Sequence, residues 1–168
     1  NAGSNVIATT GNLSVQSNAA SNALTVDFLG NGNITASNGN VTFKQYGTGS
    51  SASTMKMYPA YTANSTFAGN VTVESNNVQI EFGANGGMVI LDGSGTQSLS
   101  KTGSYIPSFK RIQVNKSSGI VSLVYPLTLA DTLFLTKGVF ATDSINLLTV
   151  PDNAIVSGGS DLAFISGP

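Results

Sequence analysis

The 168-residue chain reads as an all-β protein, and three observations carry that reading. Charged residues make up only 9% of it, against about 25% in an ordinary globular domain. Helices lean on Glu, Lys and Arg, so their scarcity counts against helix. Apolar and polar residues alternate in short runs such as NLSVQS, NVTFKQY, NVTVES and NVQIEF. Successive side chains of a strand point to opposite faces, so Leu13 and Val15, or Val41 and Phe43, line one face. Each run is closed by Gly, Asn, Asp, Ser or Pro, the residues of tight turns.

Apolar runs recur at a drifting interval near twenty. Leu13 and Ile34 lie 21 residues apart, Val71 and Val89 lie 18 apart, and Ile112, Leu133 and Ile155 follow at 21 and 22. Two or three short strands fit inside such an interval. This favours a parallel β-solenoid (β-helix), whose coils bury their apolar faces only by stacking. Asn-rich turns suit the arrangement, because identical polar side chains can ladder from coil to coil. An antiparallel β-sandwich, with short strands and turns every ~8–12 residues, is the alternative.

A single module over residues 1–168 is expected, large enough to bury roughly 70% of its unfolded surface. Residues 1–11 are small and polar around Val6 and Ile7, and read as a terminal or exchanged strand. Alternation fills 12–46. It lapses over 47–69, an irregular region in which Tyr58, Tyr61 and Phe67 gather with Met55 and Met57. Pro59 there suits a loop or an edge, since it cannot donate to a central ladder. Regular runs return from Asn70. From Phe109 to Pro168 the triplets IQV, VSL, LTL, LFL, NLL and AIV follow one another between turns.

Several function classes are disfavoured. A net charge of −1 offers no field for nucleic acid, and no apolar run approaches the ~20 residues of a membrane helix. With neither Cys nor His, there is no disulfide framework, thiolate metal site or His-based catalytic triad. The eight carboxylates are Asp27, Glu74, Glu81, Asp92, Asp131, Asp143, Asp152 and Asp161. Glu74 and Glu81 are the best pair for glycoside chemistry, but a solvated strand face accounts for them better. Asp152, Asn153 and Asp161 offer hard oxygen ligands without a calcium-loop spacing. A non-enzymatic protein with no cofactor and no metal is expected. Asn-x-Ser/Thr occurs at Asn12, Asn33, Asn40, Asn64, Asn70 and Asn115, and reads as a turn followed by a strand rather than as glycosylation sites.

Three sets of residues are candidate sites. An open sheet exposes unpaired backbone at its ends unless something caps it, and no amphipathic capping helix is visible. Val6 and Ile7 near one end, with Leu162, Phe164 and Ile165 near the other, are therefore candidate subunit contacts. A head-to-tail contact of this kind does not close, and it propagates into a filament. Lys101, Lys110, Arg111 and Lys116 fall together with no acid among them, while Asp131, Asp143, Asp152 and Asp161 follow. They read as ordinary surface charge or as complementary patches that set register between copies. Tyr58, Tyr61 and Phe67 are candidate glycan contacts under the alternative reading of a carbohydrate-binding module.

The stretch Phe109–Pro168 also resembles a segment of large secreted surface proteins of Bacteroidota exported by the type IX system. An aromatic-led strand (Phe109, Ile112, Val114) precedes Asn115-Lys116-Ser117-Ser118-Gly119 and a Val-Ser-Leu strand. A Leu-Thr-Leu to Leu-Phe-Leu-Thr-Lys-Gly pair spans Leu127 to Gly138, and the stretch closes on Gly158 to Pro168. GMVILDGSGTQSLS at 87–100 matches the preceding strand pair. The resemblance covers about the last half of the chain and rests mostly on turn residues. It implies an extracellular, repeat-rich protein of adhesion or surface structure, with this chain as one unit of a longer repetitive protein.

Overall fold

The computed structural model describes residues 6–17, 25–27, 33–45, 56–58, 60, 62–76 and 79–168, and every regular element among them is a β-strand. All ladders between these strands are parallel, and the chain coils into a β-solenoid. The sandwich alternative fails here, because it needs antiparallel ladders.

The coil has three faces. Face one carries β1 (Val6–Ala8), β4 (Ile34–Ala36), β7 (Ser65–Phe67) and β10 (Val89–Leu91), stacked in that order. Face two carries β2 (Leu13–Ser17), β5 (Val41–Gln45), β8 (Val71–Ser75) and β11 (Gln97–Thr102). Face three carries β3 (Thr25–Asp27), β6 (Lys56–Tyr58), β9 (Gln79–Phe82) and β12 (Ser108–Phe109). Two longer strands, β13 (Arg111–Leu123) and β15 (Thr132–Ala141), then run round the corner and serve faces one and two together. β14 (Leu127–Thr128) pairs with β16 (Leu148–Thr149) and continues face three, where the Ala130 amide donates to Phe109 O. The last layer is β17 (Ile155–Gly158) on face one and β18 (Ala163–Ser166) on face two, both on β15.

Strand alternation sorts the side chains. On face one the column Ile34, Ser65, Val89, Ile112 and Leu133 points inward, and its neighbours Ala36, Phe67, Leu91, Val114 and Leu135 do likewise. The three faces meet in an aromatic centre. Phe43 from face two packs edge-on to Phe67 from face one at 5.9 Å and to Phe82 from face three at 5.0 Å. Phe82 in turn stacks on Phe109, its partner one coil on, at 4.3 Å. Aromatic pairs of this geometry add about 0.5–1.5 kcal/mol each beyond their buried area.

The corner between faces one and two explains the turn residues. Gly11-Asn12, Gly39-Asn40 and Gly69-Asn70 recur there on successive coils. Asn12 Oδ1 accepts from the Asn40 amide, Asn40 Oδ1 from the Asn70 amide, and Asn70 Oδ1 from the Ser98 amide, at 3.0, 3.0 and 2.8 Å. These are the expected side-chain ladders. They also show why Asn-x-Ser/Thr is frequent: Asn12, Asn40 and Asn70 hold the corner, and Ser14, Thr42 and Thr72 open the outward column of face two. Thr72 Oγ1 and Ser100 Oγ in that column are 3.0 Å apart. The glycines are steric. A Cβ on Gly39 would lie 1.7 Å from Gly11 O, and one on Gly69 2.3 Å from Gly39 O.

Only part of the predicted spacing survives as register. Ile112 does pair with Leu133. Leu13 pairs with Val41 rather than Ile34, Val71 with Val41 and Leu99 rather than Val89, and Ile155 with Thr132. Leu13 and Ile34, like Val71 and Val89, sit on different faces, so their spacing measures part of a coil. True steps run from 31 residues (Thr35 to Thr66) through 21 (Ile112 to Leu133) down to 19 (Val121 to Phe140). Within 47–69, Lys56–Tyr58 and Ser65–Phe67 are strands of faces three and one. β1 pairs with β4 of its own chain.

Candidate functional site

The terminal layer formed by β17 and β18 is the candidate site. Its inward residues continue the core columns: Val156 follows Leu133, and Ile165 follows Phe140. Leu133 and Phe140 are fully buried, whereas Val156 and Ile165 are each 37% exposed. Among the described residues no further strand covers them. Leu162 at the turn between the strands is 74% exposed, and Phe164, on the outer side of face two, is 43% exposed.

The backbone adds polarity to this apolar edge. Ile155 donates to Asp131 O and Gly159 to Leu135 O, so the alternation of a parallel ladder turns the N–H and C=O groups of Val156 and Gly158 outward. On β18, Gly138 donates to Leu162 O and Thr142 to Ser166 O, which leaves the groups of Ala163 and Ile165 on the outer side. Ala163 differs from the rest. Its amide donates to Ser160 O, and its carbonyl accepts from the Ser160 amide, at 3.0 and 2.8 Å. This two-residue turn follows Gly158 and Gly159, whose φ of +83° and +109° only glycine adopts readily.

At the other end, Val6 is half-buried in the inward column of Ile34, while Ile7 is 63% exposed on the outer column with Thr35 and Thr66. Of the five predicted contact residues, Val6 and Ile165 thus lie at the two ends of the core. Ile7 and Phe164 lie on flanks, and Leu162 lies on a turn. Val156 was missed. Its signal is its 23-residue step from Leu133, visible once face one is traced as a single column.

The predicted basic cluster is dispersed. Lys110 lies 3.8 Å from Glu81, Arg111 Nε 3.0 Å from Asp131 Oδ2, and Lys101 donates to Gly103 O. Arg111 Nη1 also donates to Gly86 O, and this pairing lines a groove of about 480 Å³ beside the Gly83–Gly86 turn. Lys116 corrects the reading of a surface patch, for it is fully buried inside the corner. Its amine donates to Asp92 O at 2.8 Å and to Gln97 Oε1 at 3.1 Å, while Gln97 Nε2 donates to Phe67 O and Gly69 O. Desolvation lowers the Lys116 pKa, and Asp92 partly offsets it; desolvation raises that of Asp92 against the pull of Lys116.

The other candidates separate. Phe67 lies in the aromatic centre and has no surface to offer a glycan; Tyr61 lies outside the described residues, and of Tyr58 only the backbone is described. Glu74 faces Lys44 at 3.1 Å on face two, and Glu81 faces Lys110 from face three, so the two carboxylates are not a pair. Asp143 folds its carboxylate onto the amides of Ile145 and Asn146 and the Asn146 side chain, which lowers its pKa. Among the described residues no three His, Cys, Asp or Glu side chains gather as a metal site, and no helix is long and apolar enough to cross a membrane.

No family model matches the chain, and neither a curated protein nor a solved structure matches it. What is established is the class, a parallel β-solenoid.

Proposed function

We propose that this chain is an extracellular structural or adhesive subunit that stacks head-to-tail into a surface fibre. The observation that supports this reading is the terminal layer, where Val156 and Ile165 leave the core columns uncovered beside outward-turned backbone groups. A parallel ladder reads the same at every step, so the first coil of another copy is a chemically suitable cover. A net charge of −1 opposes such association only weakly. Surface location rests on the resemblance to secreted Bacteroidota proteins and on a surface rich in Ser, Thr and Asn. The role is one of scaffolding, with no catalytic step and no cofactor.

Sedimentation velocity and negative-stain imaging test the assembly. The native chain is expected to form unbranched fibres, and Val156→Asp with Ile165→Asp to remain monomeric with an unchanged circular dichroism spectrum. Native protein that stays monomeric at high concentration overturns the proposal. Protease shaving of intact cells tests the location: protection of the chain until lysis would place it elsewhere.

A further inference from the structure

The two edges of β17 and β18 are unequal, and the inequality specifies how copies meet. On face one, the outward groups of Val156 and Gly158 are two residues apart. The Val6 amide donates to Asn33 O and Ala8 O accepts from the Ser37 amide, so alternation turns the N–H and C=O of Ile7 away from β4, toward an incoming strand. Placing Val156 on Val6 and Gly158 on Ala8 sets the Ile7 groups between those of Val156 and Gly158, which is the bonding pattern of every inner coil. The side chains agree with this register. Val156 and Val6 both belong to inward columns, and Gly158 meets Ala8, small on small. The corners differ, because the column that begins at Leu13 runs through Val41, Val71, Leu99 and Leu123 toward Gly167, nine positions past Gly158, whereas Leu13 is five past Ala8.

Face two is held back. Its columns, continued, would set Leu13 of the next copy over Gly167, past the end of β18, so β2 finds no strand beneath it among the described residues, and both outward groups of Ala163 are already bonded to Ser160. On face three, β16 belongs to the layer below, and β17 and β18 have no face-three companion among the described residues. We propose that copies join through a seam on face one, Val156 on Val6 and Gly158 on Ala8, with β2 left without a strand partner on face two. This rests on the head-to-tail reading above and gives it a register.

The chain has no cysteine, so engineered pairs report register cleanly. The proposed seam puts Ser157 beside Ile7 on the outer column, about 4.8 Å apart as neighbouring strands are. That falls within the roughly 4.4–6.8 Å a disulfide spans. Mild oxidation of Ile7→Cys/Ser157→Cys is expected to give covalent multimers whose peptide map shows the 7–157 link. The face-two pair Ser14→Cys/Phe164→Cys is expected to link at least tenfold less, with single-cysteine variants as controls. Fibres that form without the 7–157 link overturn the seam and leave head-to-tail assembly standing, as do equal yields from the two pairs. A native chain that forms no oligomer at all overturns both.

Discussion

Replacing Lys116 tests whether the corner is held by an internal polar column. The amine is fully buried and has two acceptors, Asp92 O and Gln97 Oε1. In Lys116→Met the aliphatic stem is largely retained, so the loss isolates those two bonds. Each stranded acceptor costs about 1–3 kcal/mol, giving roughly 2–6 kcal/mol in all. Removing the buried charge returns part of its desolvation cost, which places the expected loss at the lower end, about 2 kcal/mol. For a chain of this size that lowers Tm by about 4–8 °C. The pH dependence is a sharper signature. The Lys116 pKa is lowered on folding, so below it the folded state carries a desolvated cation and is penalised. Stability therefore rises as pH climbs through the folded pKa toward the unfolded value near 10.5. A neutral amine still has two N–H donors and keeps both bonds. Thermal melts of the native chain and Lys116→Met between pH 7 and 10.5 measure the difference. Equal melting points, or a gap between the two that does not widen as pH rises, would refute the reasoning.

The corner glycines and one buried phenol give two further expectations. Gly39→Ala sets its Cβ 1.7 Å from Gly11 O, whereas a Cβ on Gly95 meets nothing within 4 Å. Chemical denaturation is expected to show a loss of about 3 kcal/mol or more for the first, in the range of severe overpacking, and less than ~0.5 kcal/mol for the second. Tyr125 is buried, and its hydroxyl has no hydrogen-bond partner among the described residues, so Tyr125→Phe is expected to match the native chain or to exceed its stability by about 1 kcal/mol. A clear loss in the same assay would show that the hydroxyl has a partner after all.

Much of the fold was legible because strand alternation is a local property. Val41 and Phe43, or Val71 and Val73, announce their inward side without reference to any other coil. Coil register was harder, because the step between partners drifts and three faces interleave along the sequence. Gly11-Asn12, Gly39-Asn40 and Gly69-Asn70, each followed by an apolar residue and Ser or Thr, carried the register all along. Lys116 was illegible for a different reason. A lysine beside Ser117 and Ser118 reads as solvated turn, and its burial depends on Gln97 and Asp92 one coil earlier. The Ser160–Ala163 turn was legible only as a glycine-rich break, since its effect lies in which backbone groups it occupies.

The drifting coil length has a practical side. Between Thr35 and Thr66 the chain travels ten residues farther than between Ile112 and Leu133, yet both return to adjacent positions on face one. The corner from face one to face two takes five residues from Ala36 to Val41 and nine from Val114 to Leu123 in the same columns, so the surplus of the longer coil lies in the remaining circuit. Closing a longer detour costs only about 0.6 kcal/mol for each doubling of its length. Foreign peptides grafted on that side, one per coil, would stand in a line spaced about 4.8 Å per layer. The molecule is in this sense a ruled scaffold, with one margin fixed and the other open to text.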